Sequence, residues 1–156
     1  MKIILVEDNP EKASQIEAIV FAVISGAKVE RCMSLASAAE AIDAKIFDLL
    51  ILDISMDIAL GGNGFIADNH DMLGGLRFAK ELYLNENELT TIVVTAHESF
   101  IEKKGPKAQI SSFMSVARLS QEFEDLLGEL FIGAVRYQKD GWSTHLRSLL
   151  EKVGKS

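Results

Sequence analysis

The feature that most constrains the fold is the stretch Leu49–Asp53, in which four consecutive apolar residues run directly into a carboxylate. A short, unbroken run of branched aliphatic residues is typical of a strand that is buried on both faces, as in a parallel sheet covered by helices. In open α/β sheets, ligands bind outside the carboxyl ends of the strands. The acid that ends this run, Asp53, is therefore predicted to face whatever the fold binds.

Four further predicted strands complete a five-stranded parallel sheet with helices between the strands. The other predicted strands are Lys2–Val6, Val29–Cys32, Thr91–Thr95 and Ala134–Gln138. Asn9 followed by Pro10 predicts the cap and first residue of the first helix, and Ser34 is predicted to cap the second. The last helix is expected to begin at Ser143 or Thr144. A βαβαβ order with right-handed crossovers indicates a doubly wound α/β fold.

Length and composition predict one domain that spans residues 1–156. A net charge of -7, from 23 acids against 16 Lys plus Arg, argues against a nucleic-acid groove. The single cysteine, Cys32, is expected to fill a core position. No segment approaches the roughly 18 apolar residues of a membrane span, and the amino terminus does not resemble a signal peptide. The chain is therefore predicted to be cytoplasmic, without a nucleic-acid or membrane partner.

Side chains that carry chemistry follow four of the predicted strands: Glu7 and Asp8, then Asp53, Thr95 and Lys139. Taken singly, each is more simply explained as a turn former, a helix cap, a strand residue or a solvated charge. Jointly they point to one site at the carboxyl edge of the sheet. Three carboxylates about 5 Å apart repel by roughly 3 kcal/mol per pair at an effective dielectric of about 20. A cation must offset that repulsion, and hard oxygen ligands suit Mg²⁺.

The order and placement of these residues resemble the receiver domain of two-component response regulators, which has a flavodoxin-like fold. The resemblance covers nearly the whole chain and includes Val94–Ala96 and Gly75–Leu76. It implies that Asp53 is the phosphoacceptor, that Thr95 is the hydroxyl after the fourth strand, and that Lys139 is the lysine after the fifth.

The resemblance also implies a set of Mg²⁺ ligands. Asp8 and Asp53 would bind the metal directly, as would the main-chain carbonyl of Ser55, and Glu7 would act mostly through water. With the metal bound, Asp53 can attack the phosphorus of a phosphohistidine or a small acyl phosphate. The metal and the lysine would neutralise the transferring group while the threonine hydroxyl donates to it.

The predicted function is therefore that of a phosphoacceptor in two-component signalling or a phosphorelay. A histidine kinase or phosphotransfer protein would supply the phosphoryl group, and a downstream protein partner would respond to it. Such a domain is not an enzyme acting on other substrates, since it catalyses only its own phosphorylation and dephosphorylation. No linker or second domain follows Val153, so the chain is expected to relay phosphate, to bind a partner or to be a piece of a longer protein.

Two other classes of function stay open from the sequence. The first is a pseudo-receiver, an interaction module that keeps the fold without being phosphorylated. The second is a phosphatase similar to the haloacid dehalogenases, which also uses an aspartate after an apolar strand. That family requires a second aspartate two residues later, where this chain has Ser55.

The chain departs from the receiver pattern at three positions. Asp57 and Asp140 stand where receivers usually have proline, after the nucleophile and after the lysine. Three residues before Lys139, where an aromatic residue is usual, the chain has Arg136. Tyr137 follows one place later and is predicted to point to the opposite face of the strand. The family's usual aromatic switch is therefore not expected here.

Two insertions lengthen the chain relative to a typical receiver. The first covers about residues 57–71, where the glycine-rich turn 61–64 predicts a β-hairpin. The second covers about residues 106–131, where a break at Gly105–Pro106 is followed by two amphipathic helical segments. The first segment is predicted to run through Ile110 and Ala117, and the second to be capped by Ser120.

The second insertion carries a set of large apolar side chains that must be covered by something. These residues are Ile110, Phe113, Met114, Phe123, Leu126, Leu127, Leu130 and Phe131. They fold back on the domain's own core, or they form a surface for a partner or for homo-oligomerisation through 108–131. Burying each is worth about 1.5 to 3 kcal/mol, so leaving all of them in water is excluded.

Overall fold

The computed structural model describes residues 1–56, 74–97, 99–103 and 111–154, with backbone alone for 99–103 and 111–113. Its strands are β1 Lys2–Val6, β2 Lys28–Cys32, β3 Leu49–Leu52, β4 Thr90–Thr95, β5 Ser99–Lys103, β6 Ser111–Ser115 and β7 Phe131–Arg136. Its helices are α1 Pro10–Val23, α2 Leu35–Ala44, α3 Gly74–Leu84, α4 Val116–Leu127 and α5 Trp142–Val153. The first insertion, 57–71, and the hairpin predicted there lie outside the described residues.

Five strands form one parallel sheet in the order β2-β1-β3-β4-β7, which confirms the predicted doubly wound fold. β3 lies at the centre, between β1 and β4, and all four of its residues are buried. Side chains on neighbouring strand residues point to opposite faces. One core layer packs under α1 and α5, and a second packs under α2, α3 and α4.

Helices begin where the sequence predicts when a capping side chain is present. Asn9 Oδ1 accepts hydrogen bonds from the backbone N–H groups of Glu11 and Lys12, and Ser34 Oγ accepts one from Ser37. Both predicted caps are confirmed. The predicted start of α5 at a serine or threonine cap is wrong, because the chain turns through Gly141 in the left-handed region, at φ 79°. The helix then begins directly with a tryptophan.

The second insertion differs from the prediction. β5 and β6 form an antiparallel two-stranded sheet, with Ser99 opposite Ser115 and Lys103 opposite Ser111. The first amphipathic helix predicted there is wrong, because 111–115 is a strand whose partner lies earlier in the chain. The second helix exists but begins at Val116, where Ser115 Oγ accepts from Arg118 N–H at 3.2 Å, rather than after a cap at Ser120.

The large apolar side chains of this insertion that the structure describes belong mainly to the domain's own core. Met114, Phe123 and Phe131 are buried, and the rings of Phe123 and Phe131 stack with centroids 5.3 Å apart. Leu126 and Leu127 pack against the same cluster. The prediction of an exposed partner surface is therefore wrong at Phe123, while self-association through other parts of 108–131 stays a prediction.

Phe131 is also the first residue of β7, which therefore begins three residues before the predicted start at Ala134. The strand ends at Arg136. Cys32 is buried, as predicted. Among the helices in the described part of the chain, none has the length and apolar character needed to cross a bilayer.

Candidate functional site

Three acids meet at the carboxyl edge of β1 and β3, as the sequence predicts. Glu7 and Asp8 follow β1, and Asp53 follows β3; Val6 and Leu52 are register partners on these two strands. The Asp53 N–H donates to Val6 O at 3.0 Å, which extends the parallel ladder and fixes the relative positions of the acids. One carboxylate oxygen from each acid lies within 4.8 Å of the others.

A fourth charged residue, which the sequence analysis did not assign to the site, lies among these acids. Lys12 Nζ is 2.6 Å from Glu7 Oε2 and 3.1 Å from Asp53 Oδ2, and the residue is only 3% exposed. Lys12 belongs to the first turn of α1, immediately after the Asn9 cap. Lysines in first turns are ordinarily solvated, so position alone does not predict a buried role for this one.

A signal for Lys12 is nevertheless present in the sequence. The predicted buried face of α1 includes Ile16, Ile19 and Val20, and residues four apart share a helix face. Extending that face back by one turn from Ile16 reaches Lys12. A charged residue on the apolar face of a helix indicates a buried partner.

Both carboxylate oxygens of Glu7 are engaged. Oε1 accepts a hydrogen bond from the Asn9 N–H at 2.9 Å, and Oε2 faces the Lys12 ammonium. Burial raises the pKa of Glu7 to about 7; the ammonium of Lys12 opposes that rise and the carboxylate of Asp53 adds to it. Glu7 is therefore held in place by the Asn9 N–H and the lysine. Its role as a metal ligand through water stays a prediction.

The two oxygens of Asp53 face different groups. Oδ1 is 3.4 Å from both the backbone nitrogen and the hydroxyl of Ser55, and Oδ2 contacts Lys12. Asp53 is 6% exposed, whereas Asp8 is exposed. The nucleophile predicted from the sequence is thus buried between a cation and the loop that follows β3.

Gly75, near the start of α3, lies against the backbone of Asp53 and Ile54. Its N–H donates to Ile54 O at 3.0 Å. A Cβ at this position would lie 2.5 Å from Asp53 O and 2.8 Å from Ile54 Cα, closer than such contacts permit. The absence of a side chain therefore lets α3 pack against the backbone of Asp53.

Thr95 ends β4 at the same edge of the sheet and is fully buried. Val93 pairs with Leu52, so Thr95 lies level with the residues just after β3. Its hydroxyl accepts from the His97 N–H at 3.3 Å, and its carbonyl accepts from the Tyr137 N–H at 2.8 Å. The structure therefore places Thr95 at the predicted edge.

Lys139 is exposed and lies in a turn beyond β7. It lines a cavity of about 390 Å³ together with Arg136, His145 and residues of α4 and α5. The lysine in contact with Asp53 is Lys12, and none of the three clustered acids lines the Lys139 cavity. The role of Lys139 stays a prediction.

Tyr137 points away from Arg136, as predicted. Its ring is buried in the core layer under α1 and α5, while Arg136 lines the cavity that Val116 of α4 and His145 of α5 also line. The Tyr137 hydroxyl donates to Gln15 Oε1 at 3.1 Å. Lys12 Nζ lies 5.6 Å from the centroid of the Tyr137 ring, and Trp142 packs edge-on against that ring at 4.8 Å.

The donor set fits a small hard cation. All the donor groups are oxygens, Asp8 is exposed to solvent, and Mg²⁺ binds proteins through one or two carboxylates while keeping several waters. Asp8 and Asp53 would hold such a cation, while Glu7 Oε2 faces the Lys12 ammonium. The ligand role of the Ser55 carbonyl stays a prediction.

Comparisons with known proteins give the class of fold. No protein-family model and no curated protein matches the chain. Among solved structures, the response regulatory domain of MrkE from Klebsiella pneumoniae matches with a TM-score of 0.66 at 13% identity, covering 99% of this chain and 96% of that one. The isolated receiver domain of RcsB from Salmonella enterica serovar Typhimurium matches with a TM-score of 0.65 at 20% identity, covering 100% and 89%.

A third match is the CheY-like receiver domain protein from Methanospirillum hungatei JF-1, with a TM-score of 0.61 at 16% identity, covering 99% and 90%. The chain therefore has the flavodoxin-like fold of response regulator receiver domains. The resemblance stated from the sequence is confirmed at the level of the fold.

Proposed function

We propose that the chain is a phosphoacceptor receiver of a two-component or phosphorelay system. The observation that supports this function best is the position of Asp53. It ends the central strand of a receiver fold, with carboxylate oxygens of Glu7 and Asp8 within 4.8 Å. A cluster of three acids at a ligand-binding edge, with the central one buried, is suited to nucleophilic attack on a phosphoryl group.

The reaction transfers a phosphoryl group from a phosphohistidine or an acyl phosphate to the carboxylate of Asp53. A carboxylate oxygen of Asp53 attacks the phosphorus of a phosphohistidine or acyl phosphate, and a new P–O bond forms. The P–N or P–O bond to the donor breaks, and its electrons leave with the imidazole or the carboxylate. The Thr95 hydroxyl would donate to an oxygen of the transferred group. Mg²⁺ held by Asp8, Asp53 and the Ser55 carbonyl would supply charge neutralisation at the phosphoryl oxygens.

The proposed partners are a histidine kinase or phosphotransfer protein and a downstream protein whose binding depends on phosphorylation. The proposed location is the cytoplasm. The solved RcsB structure bound to a promoter shows that a protein of this fold class acts with DNA. For this chain a direct nucleic-acid role is not proposed, because its net charge is -7.

One observation favours the second candidate, a pseudo-receiver that binds partners without being phosphorylated. Lys12 already neutralises part of the acidic pocket through ion pairs with Glu7 and Asp53. Because the ammonium offsets part of the repulsion among the carboxylates, the pocket depends less on a bound metal to neutralise them.

Intact-mass measurement after incubation with acetyl phosphate and Mg²⁺ separates the two candidates. The wild type is expected to gain one phosphoryl group, and Asp53→Asn to gain none. Asp48→Asn is the matched control, because Asp48 flanks the other end of β3 and accepts a hydrogen bond from the Lys2 N–H. A wild type without added mass would favour the pseudo-receiver, and an unchanged gain in Asp53→Asn would place the phosphoryl group elsewhere.

A further inference from the structure

We propose that Lys12 is the lysine that neutralises the acidic pocket and the phosphoryl group on Asp53. This inference rests on the proposed phosphoacceptor function. It assigns to the first turn of α1 the role that the family resemblance gives to Lys139, after the last strand of the sheet.

The contacts of Lys12 carry the proposal. Its ammonium lies between two buried carboxylates, 2.6 Å from Glu7 Oε2 and 3.1 Å from Asp53 Oδ2. With 3% of the residue exposed, water cannot take the place of these partners. Breaking a buried ion pair leaves an uncompensated charge at high cost, so Lys12 is held at the nucleophile.

The Asp53 oxygen that Lys12 contacts faces away from Ser55. Because Oδ1 lies near the Ser55 N–H and Oδ2 near the ammonium, a phosphoryl group on Oδ2 would bring new oxygens to Lys12. A lysine is a compact charge on a flexible stem with three donors, so it can follow the charge from the carboxylate to the phosphoryl oxygens.

Lys139 is placed differently. Its side chain is exposed, and it lines the cavity that contains Arg136 and His145 rather than the acids. The turn that carries it passes through Gln138 in the left-handed region, at φ 62°, and the Lys139–Asp140 peptide is trans. Within the described chain, Lys12 is the cation with an ion pair to Asp53.

The contacts beyond Lys12 provide an optical readout. The ammonium lies 5.6 Å from the Tyr137 ring centroid, and the chain's single tryptophan, Trp142, packs against the same ring. A movement of Lys12 toward a phosphoryl group changes the charge next to Tyr137. Trp142 fluorescence should therefore respond when the pocket is filled.

The test compares Lys12→Met with two matched variants, Lys139→Met and Lys45→Met. Methionine is unbranched and flexible, so it can occupy the path of the lysine stem without its charge. Lys45 is also ion-paired, to Glu30, but on the surface away from the pocket. Mg²⁺ affinity is measured by calorimetry without a donor, and phosphorylation by intact mass against time with acetyl phosphate.

Lys12→Met is expected to bind Mg²⁺ roughly tenfold more tightly or better, since a positive charge has been removed from the site; tenfold corresponds to about 1.4 kcal/mol. The same variant should be phosphorylated at least about tenfold more slowly, and it should lose the Trp142 response. Lys45→Met should stay within about twofold of the wild type, as expected for an exposed charge. Lys139→Met should be slowed less than Lys12→Met.

The opposite pattern, with Lys139→Met slow and Lys12→Met unchanged in both measurements, overturns the proposal. If the wild type takes up no phosphoryl group, the proposed function fails. The Mg²⁺ titration still tests whether Lys12 neutralises the acidic pocket. Tighter Mg²⁺ binding by Lys12→Met then supports its role as the cation of the pocket, and unchanged binding refutes it. Lys12→Gln, which keeps a donor toward both acids, replaces Lys12→Met if that variant does not fold.

Discussion

The buried carboxyl group of Glu7 should make the metal-free protein less stable as the pH rises from about 4.5 to about 7. Burial raises the pKa of Glu7 from 4.5 to about 7 in the folded protein. The folded state therefore binds the Glu7 proton more tightly than the unfolded chain does. That stabilisation is fully present below pH 4.5 and is lost as the pH rises through about 7.

The magnitude follows from the size of the shift. One pKa unit corresponds to about 1.36 kcal/mol, so the rise from 4.5 to about 7 is worth about 3 kcal/mol of unfolding free energy. The charged groups that face Glu7 are Lys12 on α1, Asp53 after β3 and the neighbouring Asp8. The Lys12 ammonium lowers the pKa and the Asp53 carboxylate raises it, and burial exceeds both.

Urea unfolding in the presence of a chelator, repeated between pH 5 and pH 8, measures this loss. The wild type should lose about 2.5 kcal/mol more than Glu7→Gln over that range, because the amide cannot titrate and the part of the effect below pH 5 is not sampled. Glu30→Gln is the control, since Glu30 is also paired with a lysine, but at the surface. Equal pH slopes in the wild type and Glu7→Gln would show that the buried carboxyl of Glu7 does not take up a proton on folding, contrary to this prediction.

Two further predictions concern packing. Gly75→Ala should cost about 1 to 3 kcal/mol and slow phosphorylation of Asp53, because a Cβ there would lie 2.5 Å from Asp53 O. Gly154→Ala is its control, with the new Cβ at an ordinary 3.6 Å from Leu150 O, and equal effects of the two in urea unfolding would contradict the prediction. Phe123→Ala should cost about 3 to 5 kcal/mol in the same assay, because Phe123 is fully buried. If Phe123→Ala leaves the free energy of unfolding almost unchanged and light scattering shows a different oligomeric state, Phe123 belongs to an interface between chains.

Much of the fold could be predicted because the signals are local and strong. Lys2–Val6 and Leu49–Leu52 are runs of apolar residues that suit a strand covered on both faces, and both strands occur at those positions. Asn9 and Ser34 cap helices through their own side chains, so each start is determined by a few neighbouring residues. The edge at which the acids meet then follows from the parallel order of the strands.

The second insertion could not be predicted in the same way, because its structure depends on pairing between distant residues. The apolar residues around Phe113 and Met114 fit a helical repeat as well as a strand. Pairing with Ser99–Lys103 decides in favour of the strand, and no local signal reports a partner at that separation. The helix that follows begins at the first residue after the strand, so its cap differs from the predicted one.

Lys12 and the aromatic residue that follows Arg136 lie next to each other near the site. Arg136 takes the place of the usual aromatic residue, and the aromatic that follows, Tyr137, lies in the core layer under α1 and α5. Lys12, on α1, is buried beside the same ring, and Trp142, the first residue of α5, packs against it.

Each of these placements alone would be a local variation, but together they form a continuous path of contacts from Asp53 through Lys12 and Tyr137 to the start of α5. A phosphoryl group at Asp53 changes the charge at the first contact of that path. The side of the sheet under α1 and α5 is therefore where a conformational response of this chain should be sought, because this path of contacts lies there.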